Sequence, residues 1–346
     1  ESISYFRDSL SREQTETDGP IWGLFHLPGH EEGLNWILPR GETDLSEDVE
    51  NYEPNSILLE TLLETLSPYS QEIRQLRENE SLGVEVGILD KRSATLKCLP
   101  HPISEQIRKL LVPESTGNGV FYDKLGLSRL TQITSVYDTM IELMSFIMLA
   151  QLWDALSEKG ETLRIADEDK ELIKDFLTIS ATNRRSYNFF PLIGCIRKIL
   201  DNNSLTYFVT ELKFLKIIFQ PADPFYEACQ FMEAVKKQLA DGVLSQNEAK
   251  SLCLIGEDHL SSIMSNLGFV AKYSFASVKN IDVIKHRHIK LPRFKHTIVR
   301  LVQRFVGLAE EPQLLDQYLD TTSVLLSQEL NGKPIFLNLT PFVIDE

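Results

Sequence analysis

Cysteine is scarce. Cys98, Cys195, Cys229 and Cys253 are the whole set in 346 residues, and no two form a C-x-x-C pair. That spacing excludes a disulfide framework and a zinc ribbon, and it fits a reducing, cytoplasmic setting. Three of the four sit in apolar helical stretches, where a thiol serves as a small hydrophobe. Positive charge is short as well: 35 Lys+Arg stand against 50 Asp+Glu, a formal charge of −15. Such an excess of acid argues against a broad nucleic-acid groove. Long apolar runs are missing. The longest, Met140 to Trp153, is interrupted by Glu142, Ser145 and Gln151, and it falls short of the ~20 residues that cross a bilayer. No membrane partner is expected. No basic n-region followed by an apolar h-region opens the chain, so no signal peptide is expected. The start at Glu1 and the strand-like finish at Phe342–Glu346 are read as signs of an excised or processed piece.

Catalytic signatures are absent too. The chain has no G-x-S-x-G elbow, no papain-like cysteine neighbourhood and no glycine-rich phosphate loop before Gly332-Lys333. His26 and His30 flank Pro28-Gly29, which breaks the helix that an H-E-x-x-H site needs. His286 and His288 would share a strand face, yet no cysteine or carboxylate completes a metal set and the surrounding cations oppose one. No catalytic residue, metal or cofactor is therefore assigned, and the reading leans away from an enzyme.

What is present is a globular mixture, 42% apolar and 25% charged. The length suits two or three cooperating units. Residues 1–54 form an acidic, partly irregular region. Across the first 80 residues eighteen acidic side chains face five arginines, a balance of −13. Residues 55–120 read as a small mixed unit. Leucines 58, 59, 62, 63 and 66 make a helical stripe that Pro68 ends. Val84–Ile88 and Ala94–Cys98 resemble the arms of a hairpin, and a short helix follows from Pro102 to Val112. From 121 to 267 only helices are expected: about 128–158, 167–178, 186–200, 205–219, 223–240, and one opened by Ser245-Gln246-Asn247-Glu248, a capping box. After Gly268 the texture turns aromatic and β-branched. Residues 268–346 predict an antiparallel sheet of about four strands with one short helix near 312–319, and Asn331-Gly332 marks a hairpin turn. The fold class is α+β, predominantly α: a helical bundle or short solenoid followed by a small C-terminal sheet.

The sharpest feature is a basic segment. Lys285, His286, Arg287, His288, Lys290, Arg293, Lys295 and His296 fall within twelve residues. Across 272–304 nine cations face one acid, Asp282, a balance of +8 in an acidic chain. The strand pattern puts the dense part on a connecting loop with Pro292 near its tip. Clustered cations on a projecting loop attract carboxylates or phosphates. A protein partner is favoured. Nucleic acid or a nucleotide stays open, with Phe294 and Tyr273 able to stack on bases, and so does acid–base work by His286, His288 or His296. Arg184 and Arg185 form a weaker second cationic site. Inside the long helix, Asp138 and Glu142 share a face and call for donors such as Arg184, Arg185 or Arg197 if that face is buried. The pairs Glu257-Asp258 and Asp167-Glu168-Asp169 are read as solvated helix surface or helix starts.

Three stretches carry a resemblance: Thr139–Asp154, Ser277–His288 and Leu337–Asp345. They are similar to segments of a bacterial helical-plus-β-sheet family linked to conflict, or anti-phage, systems. The similarity spans about 128–345. It implies a partner-binding role in bacteria and transfers no catalytic motif. The expected function is a non-enzymatic interaction or regulatory module whose 285–296 loop docks an anionic partner.

Overall fold

The structure, a computed structural model, describes residues 55–111, 122, 124–159, 163–180, 187–215, 223–285, 287–288, 292–301, 310–315, 319, 321–330 and 333–343. The chain is α+β and mainly α. Nine helices are described: α1 (Ser56–Leu66), α2 (Gln71–Ser81), α3 (Ile88–Cys98), α4 (His101–Leu111), α5 (Leu127–Lys159), α6 (Asp167–Thr178), α7 (Phe190–Asn202), α8 (Pro224–Ala240) and α9 (Gln246–Leu267). Five strands follow: β1 (Ser274–Ile284), β2 (Arg293–Arg300), β3 (Glu310–Leu315), β4 (Val324–Leu330) and β5 (Lys333–Asn338). They form one antiparallel sheet in the order β3-β2-β1-β4-β5.

The chain divides into two compact units of non-consecutive segments. One holds the described residues of 141–215 and 273–346, and the other holds those of 55–140 and 216–272.

In the helical unit, α1 buries Leu58, Leu59, Leu62, Leu63 and Leu66, the stripe seen in the sequence. Pro68 falls between α1 and α2, and the Ser70 hydroxyl then accepts from the Ile73 N–H at 3.3 Å to start α2. The capping box at α9 is formed: Ser245 N–H donates to Glu248 Oε2 at 2.9 Å, and Glu248 N–H donates to Ser245 Oγ at 3.3 Å. Gly256 of α9 faces α5, where a Cβ would meet Ile133 Cγ2 at 3.5 Å, an ordinary van der Waals contact. In the sheet-bearing unit, Phe146 of α5 packs against Phe176, Phe189 and Phe342 at centroid distances of 6.3, 6.4 and 6.4 Å.

Four local expectations are corrected. Ala94–Cys98 is not a strand: α3 runs from Ile88 to Cys98 and buries Ala94, Thr95 and Leu96. The segment lacks a β-turn pair such as Asn-Gly, and Lys91 ties it to Glu60 at 2.9 Å and Glu80 at 2.6 Å. The helix expected at 205–219 reduces to one 3-10 turn, Thr210–Lys213, among the described residues. Residues 205–209 are not helical, and side chains satisfy part of their backbone. Gln151 of α5 donates to the Thr206 carbonyl and accepts from Phe208 N–H at 3.0 Å, while Gln328 donates to the Phe208 carbonyl at 2.8 Å. The helix expected near 312–319 is strand β3 over Glu310–Leu315, with residues 316–318 outside the described set. Pro312 sits in an edge strand opposite Thr297, the sheet position where proline is tolerated. The sheet thus has five strands, not about four. The pair Asn331-Gly332 lies outside the described residues, while the β4–β5 pairing runs up to Leu330↔Lys333 on either side of it.

One helix, α5, is long and apolar enough by composition to cross a membrane, with a mean hydropathy of 1.4 in its best window. Of that window 78% is buried within the protein, as in a core helix.

Candidate functional site

The β1–β2 hairpin carries the basic segment. Its inner half is core: β1 buries Phe275, Ala276, Ser277 and Val278, and Ile298 and Val299 lie opposite. A bulge between Val278 and Asn280 then shifts the register by one residue. Beyond the bulge the hairpin opens to solvent, with Lys279, Asn280, Asp282 and Val283 exposed on β1 and Arg293 and Lys295 exposed on β2.

Cross-strand partners share a sheet face. The pairs Ile281↔His296 and Val283↔Phe294 therefore lie on one face, and Asp282↔Lys295 and Ile284↔Arg293 on the other. The first face is apolar and continues into the cluster of Ala276, Val278, Ile298, Leu319 and Leu325. The second carries Lys295 and Arg293. Pleat and register sort a mixed sequence into an apolar and a basic side.

Lys285, Arg287, His288, Arg293 and Lys295 are exposed. None of the cations Lys285, Arg287, Arg293 and Lys295 forms an ion pair within 4.0 Å among the described residues. Asp282 is the register partner of Lys295, but its carboxylate accepts from Asn280 Nδ2 at 3.4 Å. His286 and Lys290 lie outside the described residues, as do Arg184 and Arg185.

His296 does not belong with the exposed cations. It is fully buried in β2, and its Nε2 accepts from the Leu319 N–H at 3.3 Å. Its Nδ1 is buried without a hydrogen-bond partner among the described residues. Burial holds the ring's pKa below the usual histidine value, with a partly offsetting backbone contact from Phe294. His296 is a neutral core histidine that ties the 319 segment to the apolar face. Tyr273 is core as well, donating from its hydroxyl to Glu211 Oε2 at 2.6 Å. Phe294 is half-buried on the apolar face.

Two polar clusters lie inside the helical unit. Arg129, fully buried on α5, donates to Glu257 Oε2 at 2.7 Å, to Asn55 Oδ1 at 2.9 Å and to the Tyr122 carbonyl at 2.8 Å. Asn55 takes a left-handed φ of 68°, which asparagine tolerates, and its amide donates to the Leu110 carbonyl at 2.7 Å. Since the Asn55 side chain is turned elsewhere, the N-terminus of α1 lacks an ordinary cap. Glu257 supplies the acceptor, with Oε1 3.5 Å from Leu58 N–H. Glu257 is thus interior, not the solvated helix surface its sequence neighbourhood suggested. The apolar stripe of α9 foreshadows this: Glu257 sits four residues after Cys253 and three before Leu260, both fully buried.

In the second cluster Lys236 donates to Asp138 Oδ1 at 2.7 Å and lies 3.6 Å from Glu233 Oε2, while the Tyr137 hydroxyl donates to Glu233 Oε1 at 2.8 Å. Desolvation lifts Asp138 to about 6 against the opposing pull of Lys236, and raises Tyr137 well above its ordinary value. The donor to Asp138 is a lysine, not the arginines expected. Arg197 spends its guanidinium on the Leu215 and Lys213 carbonyls. The acidic run at the start of α6 forms ordinary pairs, Asp167 with Lys170 at 2.8 Å and Asp169 with Lys198 at 3.0 Å.

All four cysteines are free thiols. Burial pushes Cys98 and Cys253 up to about 11 and Cys195 to about 12, and it raises Cys229 further. They are protonated at neutral pH and poorly nucleophilic. Among the described residues no group of His, Cys, Asp or Glu is arranged to hold a metal.

No known protein family, no curated protein and no solved structure matches the chain.

Proposed function

We propose that the chain is a non-enzymatic interaction module whose β1–β2 hairpin docks an anionic protein partner. The observation that carries this reading is the contrast in pairing. Lys285, Arg287, Arg293 and Lys295 are exposed and lack an ion pair among the described residues, although acids outnumber bases 50 to 35. Exposed cations on a projecting hairpin steer association with an anionic surface at modest cost in stability. The apolar face behind them adds contact area that a purely electrostatic anchor lacks.

The test compares the wild-type chain with the variant Lys285→Glu, Arg287→Glu, Arg293→Glu, Lys295→Glu on immobilised poly-L-glutamate and on single- and double-stranded oligonucleotides. The docking reading expects salt-sensitive retention on poly-L-glutamate that the variant loses. Retention of both proteins alike removes the hairpin from the account. Stronger binding to the oligonucleotides, with a steep salt slope, replaces the protein partner by nucleic acid.

A further inference from the structure

Among the described residues the sheet has an open edge in its interior. Strand β4 pairs with β1 only from Ser274 to Ser277, whereas β2 follows β1 to Ile284. The outer half of β1 therefore has one partner strand among the described residues. The ladder shows which backbone groups this leaves free. Leu301 N–H donates to the Phe275 carbonyl at 2.8 Å, so Phe275 is turned toward β2. Val278 N–H donates to the Ser323 carbonyl at 3.0 Å, so Val278 is turned toward β4. In an antiparallel ladder alternate residues direct both N–H and C=O to the same neighbour. The bulge resets the count by one, and Asn280, Asp282 and Ile284, opposite Thr297, Lys295 and Arg293, then face β2. Ile281 and Val283 are left with N–H and C=O directed away from β2, into the open edge.

The two terminal strands of the sheet are blunted. Pro312 lies in β3 and Pro334 in β5, and proline removes a donor from an edge. The free stretch of β1 contains no proline, and Val283 is 58% exposed. Lys285 and Arg287 stand at the end of this edge, both exposed. We infer that the outer edge of β1 accepts an extended acidic segment of a partner protein as an added strand. Apolar residues of that segment lie beside Ile281 and Val283, and its carboxylates reach Lys285 and Arg287. Main-chain hydrogen bonds give the affinity, and the alternation of side chains gives the selectivity. A second copy of this chain is disfavoured as the occupant, since it would bring a second set of hairpin cations to the same edge. The inference rests on the docking reading and specifies its geometry.

The experiment uses the full chain and a fluorescently labelled peptide of alternating glutamate and valine, followed by anisotropy. A second peptide of identical sequence is N-methylated at alternate backbone nitrogens, which keeps the charge and removes strand donors. Strand addition expects the methylated peptide to bind at least about tenfold more weakly. It also expects Val283→Pro to weaken the unmethylated peptide by about tenfold with an unchanged thermal midpoint, because the lost N–H faces outward. Equal binding of the two peptides, or full affinity in Val283→Pro, overturns strand addition. Should the fourfold Glu variant lose the peptide while Val283→Pro retains it, docking by the cations stands and the strand does not. Failure of the peptide to bind the wild-type chain, together with a dimer that Val283→Pro abolishes in sedimentation, assigns the edge to a second copy and overturns the inference.

Discussion

The helical unit and the β1–β2 hairpin treat charge in opposite ways. In the helical unit Arg129 and Glu257 are interior and matched, with the Asn55 side chain and two main-chain groups completing their bonds. On the hairpin Lys285, Arg287, Arg293 and Lys295 stand in water without an ion pair among the described residues. A buried pair is expensive to desolvate and expensive to break, so it selects one arrangement of α1, α5 and α9. An exposed unpaired cation contributes little to stability and stays available for association. The difference separates charges that hold the fold from charges that the fold presents.

The comparison breaks most sharply at Arg129. Arg129→Met leaves Glu257 buried without a cation and Asn55 Oδ1 without its donor. A loss of about 3–5 kcal/mol is expected in chemical denaturation. If the midpoint barely moves, the buried pair is not holding the helices.

A smaller effect belongs to Gly268, which follows α9. A Cβ there would come within 2.0 Å of Thr65 Cγ2 on α1. Gly268→Ala is expected to cost about 1–3 kcal/mol by overpacking. Thr65→Ser removes that methyl group, and the double variant should recover most of the loss. Strict additivity in the cycle would contradict the contact.

Titration sharpens the contrast further. Burial lifts Asp138 to about 6 from 3.8. Between these values the folded chain binds the proton that the unfolded chain has released, so this group's contribution to stability declines as pH rises from about 4 to about 6. Asp138→Asn should flatten that part of a denaturation profile. His296 acts with the opposite sign. Its pKa is depressed by burial, so its contribution is present above the ordinary histidine value of 6.5 and is lost as pH falls below it. His296→Gln should reduce the slope on that acidic side. An unaltered profile in either variant contradicts the corresponding burial.

The smallest effect on stability is expected from the hairpin. Reversing Lys285, Arg287, Arg293 and Lys295 to Glu should change the folding free energy by only about 0.5 kcal/mol. A larger loss would show that these cations serve the fold.

Much of the helical part was legible because it obeys local rules. The leucine stripe of α1 and the capping box of α9 are written within a few residues. The hairpin was legible for the same reason, since its cations fall within twelve residues of the chain. The segments read wrongly are those in which distant groups decide. Residues 205–209 stay out of a helix, with Gln151 and Gln328 satisfying the backbone of Thr206 and Phe208. β3 is a strand because β2 offers it an edge. The Arg129–Glu257–Asn55 cluster joins residues separated by 74 and 128 positions, which no local window connects. His296 was grouped with the cations by sequence proximity, and the pleat turned it inward.

The most direct measurement is the association rate of the chain with poly-L-glutamate across a salt series, made in parallel for wild type and the fourfold Glu variant. The account predicts a wild-type rate that falls steeply with salt, a variant about 10- to 100-fold slower at low salt, and overlapping melting curves. Equal rates at every salt concentration, with both proteins folded, would contradict it.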